Sequence, residues 1–130
     1  NVPLKNDNNA VDIDTFEGAL RFALQTLYTK NPLLRINVCT PLYRFVWNNG
    51  TITDDSDTKT NTLGLKLTDY IASLEKVCGE FHAQVVDLYS EVGFNKYTAS
   101  AYFNNGDGTH PNVAGRELVG KKIATEIMYG

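Results

Sequence analysis

Three stretches of the chain repeat apolar residues at the three- and four-residue spacing of an amphipathic helix. The first is predicted to begin at Asp14, which can cap free amides, with Glu17 at the capping-box position. The second covers about 65–81 and the third about 112–128. The predicted buried faces are Phe16, Leu20, Ala23, Leu24 and Leu27, then Leu67, Ile71, Leu74, Cys78 and Phe81, then Val119, Ile123 and Ile127.

Two further stretches have the pattern of β-strands. Residues 34–39 alternate apolar and polar side chains, and Pro41 ends this run because proline cannot donate to a sheet. Residues 83–89 are centred on two adjacent valines and predict a second strand.

The remaining segments show no helix or strand pattern. Residues 1–13 are polar and predict an irregular lead-in, residues 42–47 are rich in aromatics, and residues 51–62 predict a solvated loop. Residues 90–106 are mixed. The predicted order is therefore α-β-α-β-α, which implies right-handed crossovers and a parallel sheet. Two strands make a thin core, so the pattern resembles the second half of a doubly wound domain.

Length and composition are those of one globular domain. The 130 residues are 42% hydrophobic, and the net charge of -3 comes without the basic stripe that nucleic-acid binding needs. No apolar run reaches the length of a membrane span. No signal peptide is visible in the polar first residues, and the chain opens at Asn1 without a methionine. We therefore expect a soluble, processed or truncated product, from which a signal peptide could have been lost upstream, and its localisation, secretion included, stays open.

The two cysteines, Cys39 and Cys78, are predicted to be buried free thiols, with a disulfide as the alternative. Neither lies in a CxxC motif or beside paired histidines, which argues against a metal site. The acidic cluster 54–57 lacks the spacing of a calcium loop. We expect neither a metal nor a cofactor.

The strongest chemical candidate is the sequence Asp107-Gly108-Thr109-His110-Pro111-Asn112, which joins a turn-rich segment to the last helix. A neutral imidazole moves protons well near pH 7, and an acidic neighbour can fix its tautomer and orientation. Glycine allows a tight turn, and proline fits the first turn of the following helix. The alternative is that Asp107 only caps that helix.

This sequence block, followed by Gly115 in a terminal amphipathic helix, resembles the last block of the SGNH (GDSL-type) hydrolases. Weaker similarity covers nearly the whole chain, at residues 15–20, at the Thr-Pro-x-Tyr-Arg turn within 37–44, and at 63–70 and 85–88. The resemblance implies a three-layer α/β fold with a parallel sheet of flavodoxin-like type. It also implies a serine esterase, lipase or acylhydrolase that works through an acyl-enzyme.

In such an enzyme His110 would be the general base and Asp107 would hold the imidazole and stabilise its cationic form, as a catalytic His-Asp dyad. The Gly-Asp-Ser block with the nucleophile is absent, as are the family's two oxyanion-hole blocks. Asn1 falls just after the expected third block. We therefore expect residues 1–130 to be the C-terminal portion of a single SGNH-hydrolase-like domain. The serine would come from a missing N-terminal half or a second chain.

No serine of this chain follows the pattern of a nucleophile. Ser56 lies among carboxylates that would oppose an oxyanion, Ser73 is in mid-helix, and Ser90 and Ser100 follow no nucleophile-elbow pattern. His82, at a helix-to-strand turn without a patterned partner, is predicted to be structural.

Substrate contacts are expected at the carboxyl end of the first strand, where open α/β sheets bind ligands. Tyr43 and Arg44, with Trp47, could line a cleft for a small-molecule or carbohydrate ester, such as a sugar O-acetyl group. The equal alternative is that the two aromatics pack over the sheet and the arginine makes a structural ion pair.

A second functional class stays open from the sequence. The segment could be a non-catalytic binding or structural assembly module that retains the hydrolase architecture. A homo-oligomer could then bury the sheet edge that the missing strands leave open.

Overall fold

The computed structural model of the chain describes residues 1–5, 11–48 and 50–130. Its longer helices are α1 (Phe16–Lys30), α2 (Leu67–Glu80) and α5 (Val113–Tyr129), and its short helices are α3 (Leu88–Glu91) and α4 (Ala99–Tyr102). The strands are β1 (Asn37–Cys39), β2 (Phe45–Asn48), β3 (Thr51–Asp55) and β4 (Gln84–Val86). No helix in the described part of the chain is both long and apolar enough to cross a membrane.

The α/β class predicted from the sequence is confirmed. Strands β1 and β4 form a small parallel sheet, in which the Gln84 amide donates to the Ile36 carbonyl and the Thr40 amide to the Val86 carbonyl. Both strands are shorter than predicted, and β4 ends at Val86 because Asp87 already caps helix α3 by accepting from the Ser90 amide at 2.9 Å. The three long helices lie close to their predicted bounds.

The prediction of a solvated loop over 51–62 is wrong for residues 51–55. These residues form β3, which pairs antiparallel with β2 and places Ile52 opposite Trp47. A hairpin with one exposed face needs few apolar residues, so its composition looks like that of a loop. Residue Asn49, and residues 6–10 of the predicted irregular lead-in, lie outside the described part of the chain.

The chain divides into two compact units, and the first comprises residues 1–38 and 60–85. Its core is formed by helices α1 and α2 through the buried side chains Leu24, Leu74, Val77 and Cys78. The predicted face of α2 is buried as expected at Ile71, Leu74 and Cys78. On α1 the prediction is wrong for Ala23 and Leu27, which are exposed, Leu27 to 44%.

The start of α1 also differs from the prediction. Its N-cap is Thr15 rather than Asp14, and the Thr15 hydroxyl oxygen accepts from the Gly18 amide at 3.2 Å. Glu17 does not complete a capping box. Its buried carboxylate instead accepts hydrogen bonds from Arg21, Ser73 and Lys76. A tertiary arrangement of donors therefore takes the place of the predicted local one.

The second unit comprises residues 39–59 and 86–130. Its core is largely aromatic, because Tyr43, Phe45, Phe94 and Phe103 pack together with Val86, Leu88, Val92 and Ala99. Helix α5 covers this core with Val119 and Ile123 as predicted. The prediction is wrong for Ile127, which is 56% exposed near the end of the helix.

The cysteines are both free thiols, but they differ in burial. Cys78 is fully buried in the first unit as predicted, and burial raises the pKa of its thiol. Cys39 is exposed in the second unit, so the prediction of burial is wrong for this residue. It is the last residue of the three-residue strand β1.

Candidate active site

The candidate site is the turn that carries Asp107 and His110 in the second unit. The two oxygens of the Asp107 carboxylate have separate partners. Oδ1 accepts from the Thr109 amide at 2.8 Å and from the His110 amide at 2.9 Å. Oδ2 lies 3.0 Å from His110 Nδ1. The structure thus brings together the two residues that the sequence singled out, within hydrogen-bonding distance.

The charge of this carboxylate determines which nitrogen of the imidazole carries the proton. Hydrogen bonds from the amides of His110 and Thr109, and then from the His110 ring, lower the pKa of Asp107 below its ordinary value. An ionised carboxylate can only accept hydrogen bonds, so the bond requires a proton on His110 Nδ1. A neutral ring then carries its lone pair on Nε2, where it can accept a proton.

Solvent reaches this end of the ring. The side chain of His110 is 81% exposed and that of Asp107 is 38% exposed. An exposed histidine held by a carboxylate on one nitrogen can act as a general base.

The alternative of Asp107 as a helix cap does not hold. The N-cap of α5 is Asn112, whose side-chain oxygen accepts from the Gly115 amide at 3.0 Å. The Asn112 amide nitrogen Nδ2 also donates to the Ala101 carbonyl at 2.9 Å. Since Asn112 performs the capping, the carboxylate of Asp107 is left for the histidine.

Two glycines allow the close approaches that shape this turn. A Cβ atom added to Gly108 would lie 1.9 Å from the carbonyl oxygen of Phe45, well inside contact distance. A Cβ atom added to Gly115 would lie 2.5 Å from the carbonyl oxygen of Tyr102. The sequence predicted a tight turn at Gly108, but it did not predict the neighbour that requires a glycine there.

The predicted substrate residues Tyr43 and Arg44 lie at the start of the hairpin. Tyr43 is only 2% exposed and its hydroxyl donates to Asp55 at 3.0 Å, which fits the packing alternative. Arg44 is exposed, and its backbone amide donates to the Ser56 hydroxyl oxygen at 3.1 Å. Trp47 packs edge-to-face on Phe45, with ring centroids 5.3 Å apart.

Two of the serines that the sequence considered and set aside have structural partners. Ser56 is buried, and its hydroxyl lies 3.0 Å from that of Tyr89. Ser73 is buried in the first unit and donates to Glu17 at 3.0 Å. The other histidine, His82, is exposed with a φ of 53° at the turn after α2. Across the described ranges, no group of three or more potential ligand side chains could hold a metal ion.

The fold has relatives among solved structures. One crystal structure is 28% identical and superposes with a TM-score of 0.81, covering 98% of this chain and 57% of its own length. A protein from Lactobacillus plantarum is 24% identical with a TM-score of 0.75, covering 96% of this chain and 58% of its own. The chain thus spans less than two thirds of the length of either structure.

A third solved structure is described as a possible lipase from Chitinophaga pinensis. It is 18% identical with a TM-score of 0.68, and the match covers 97% of this chain and 66% of that protein. No protein-family model and no curated protein matches the chain. At this identity the likeness concerns the fold, and the chain therefore shares its α/β architecture with a protein described as a possible lipase.

Proposed function

We propose that this chain is the C-terminal portion of an SGNH-type serine esterase and supplies its acid–base pair. One observation carries the proposal: an ionised Asp107 holds Nδ1 of His110 at 3.0 Å while the imidazole is 81% exposed. The fold shared with a possible lipase supports the same conclusion. The nucleophilic serine and the oxyanion hole would lie outside residues 1–130.

In the proposed reaction, Nε2 of His110 takes the proton of the serine hydroxyl as the oxygen attacks the ester carbonyl. Asp107 stabilises the imidazolium that forms, and the carbonyl oxygen becomes an oxyanion held by donors elsewhere. Collapse of this intermediate breaks the ester C–O bond, and Nε2 returns the proton to the leaving alcohol. Water then repeats the sequence, releasing the carboxylic acid and restoring the serine.

The substrate class is a carboxylic ester, such as an O-acetyl group on a carbohydrate. Of the two predicted substrate residues, the buried Tyr43 is better suited to supporting the hairpin. Arg44 is exposed and remains the proposed substrate contact. Its guanidinium can donate several hydrogen bonds to sugar hydroxyls or an acidic group.

The test uses a longer polypeptide that includes the residues encoded before Asn1, assayed on p-nitrophenyl acetate and on acetylated oligosaccharides. We expect His110→Ala to lower kcat by about 1,000-fold or more without unfolding the protein. The matched control is His82→Asn, since asparagine tolerates the positive φ of this exposed position. Equal activity of His110→Ala and wild type would contradict the proposal.

Residues 1–130 alone are expected to hydrolyse neither substrate. A serine-reactive phosphonate should label no residue of this chain, and should label one serine of the longer polypeptide. Labelling of Ser56 or any other serine within residues 1–130 would show that the nucleophile has been misplaced.

A second candidate function is that of a non-catalytic assembly module. Large exposed apolar side chains favour it, such as Leu33 at 88% in the first unit and Tyr97 at 83% in the second. For such a module His110→Ala would change no measured property. Sedimentation would instead show a homo-oligomer or a complex with a second chain.

A further inference from the structure

We infer that the start of strand β2 and the segment 101–103 form a frame that holds the Asp107–His110 turn in place, with Phe45 and Asn112 as positioning residues. The catalytic consequence of this frame rests on the proposed function. The frame itself is a set of contacts within the second unit.

The middle of the turn is fixed to strand β2. The Phe45 amide donates to the Gly108 carbonyl at 3.1 Å. In the opposite direction, the Phe45 carbonyl oxygen and ring occupy the space that a Cβ atom on residue 108 would need, at 1.9 and 3.0 Å. The backbone between the carboxylate and the imidazole therefore lies directly against this strand.

The end of the turn is fixed to the segment 101–103. Phe103 and Pro111 form an isolated antiparallel bridge, and the Asn112 amide donates to the Tyr102 carbonyl at 2.8 Å. The Asn112 side chain adds a bond to the Ala101 carbonyl at 2.9 Å. Asn112 thus ties the turn to segment 101–103 while it caps helix α5.

Both attachments lead to the same buried pair of rings. Phe45 and Phe103 pack edge-to-face with centroids 4.9 Å apart, and both are almost fully buried. Side chains in such a core have little freedom to move. The middle and the end of the turn are therefore fixed relative to each other by a contact that involves neither Asp107 nor His110.

This matters because the imidazole is not held by packing. The His110 ring is 81% exposed, and its hydrogen bond to Asp107 is the one it makes within the described residues. The position of Nε2 thus depends on the backbone of the turn and on the carboxylate. A displacement of about 1 Å at a reacting group can lower a rate about 100-fold.

Two variants test the frame, and a third is the control. Gly108→Ala forces the turn away from Phe45. Asn112→Ser keeps a good helix cap, but the serine side chain is too short to reach the Ala101 carbonyl. This second variant tests the frame even if Gly108→Ala does not fold. Gly120→Ala is the matched control, because a Cβ atom there meets nothing within 4 Å.

The first readout is the ¹⁵N spectrum of the His110 imidazole in residues 1–130. We expect the Nδ1–H tautomer in wild type and Gly120→Ala, and a mixture of tautomers in Gly108→Ala and Asn112→Ser. A merely structural contribution to stability would leave the tautomer of a folded variant unchanged. Folded variants that keep the Nδ1–H tautomer would overturn the inference.

The second readout is the kinetics of the longer polypeptide. We expect kcat to fall about 100-fold in Gly108→Ala and about tenfold in Asn112→Ser, with KM nearly unchanged, since the frame positions a base and not the substrate. If the tautomer shifts but wild type hydrolyses no ester, the proposed function fails and the frame stands. An active enzyme whose kcat is unaffected by either folded variant rejects the frame alone.

Discussion

The two units of the molecule each hold a carboxylate with several hydrogen bonds, and the two carboxylates differ in what surrounds them. Glu17 in the first unit has a side chain only 4% exposed, and its partners are Arg21, Lys76 and Ser73. Asp107 in the second unit has a side chain 38% exposed and is bonded to two backbone amides and one imidazole.

The difference separates a structural carboxylate from one suited to chemistry. Two cations and a hydroxyl satisfy both oxygens of Glu17. Asp107 holds one nitrogen of an imidazole whose side chain is 81% exposed. The number of hydrogen bonds to a carboxylate therefore does not distinguish a structural role from a functional one. The exposure of the side chain that it binds does.

The largest expected effect is on activity and separates the two carboxylates directly. In the longer polypeptide, Asp107→Asn places an amide that donates to Nδ1, so the imidazole adopts the wrong tautomer. We expect kcat on p-nitrophenyl acetate to fall by about 1,000- to 10,000-fold while thermal unfolding changes little. Glu17→Gln should instead lower the thermal stability and leave kcat nearly unchanged. A loss of kcat in Glu17→Gln with none in Asp107→Asn would reverse the comparison.

The next effect concerns how the second unit holds its turn. Gly115→Ala drives a Cβ atom against the Tyr102 carbonyl oxygen, and we expect a loss of about 3 kcal/mol in the free energy of unfolding. Gly120→Ala lies in open space on the same helix and should raise this free energy by up to about 1 kcal/mol. Urea titrations measure the change in the free energy of unfolding for the two variants, and we expect changes of opposite sign. Changes of the same sign would contradict the close approach of Gly115 to Tyr102.

A smaller effect should come from the buried carboxylate of the first unit. Glu17→Gln removes the charge that Arg21 and Lys76 share, and we expect about 2 kcal/mol less free energy of unfolding. The control is Glu75→Gln, an exposed position on helix α2 that should change stability by no more than about 0.5 kcal/mol. A Glu17 variant as stable as this control would mean that the network contributes nothing.

The smallest effects concern how the stability of each unit depends on pH. The first unit should lose stability in acid. Burial alone would raise the pKa of Glu17, but hydrogen bonds from Lys76, Ser73 and Arg21 outweigh it and bring the value below 4.5. A lowered pKa stabilises the folded state above the unfolded value, so this contribution disappears as the pH falls through the folded pKa. Glu17→Gln should therefore reduce the loss of stability at low pH, which amide hydrogen exchange in α1 and α2 measures.

The second unit should instead lose stability in base. Burial and then a hydrogen bond to Asp57 raise the pKa of Tyr89 from 10.0 to about 12, and burial followed by Asp55 raises that of Tyr43 further. The folded state keeps these protons after the unfolded chain has lost them, so stability declines as the pH rises above 10. Tyr43→Phe and Tyr89→Phe should flatten that decline, whereas Glu17→Gln should leave it unchanged.

Apolar spacing predicted the three long helices well and their buried faces less well, and it predicted neither of the short helices α3 and α4. Leu74 and Cys78 are buried as expected, yet Leu27 and Ile127 have the same spacing on their helices and are exposed. Periodicity shows which residues share a face, but the neighbours of that face decide how far burial extends. Strand β3 was missed because Ile52 alone, opposite Trp47, meets the apolar need of an exposed hairpin.

The sequence by itself determined what depends on residues close together in the chain. These features are the three long helices and the carboxylate within reach of an imidazole three residues later. Only the tertiary structure decided the pairing of β2 with β3, the donors around Glu17, and the contact between Phe45 and Gly108. Such contacts join distant residues, and their formation depends on packing the whole unit, which no local pattern encodes.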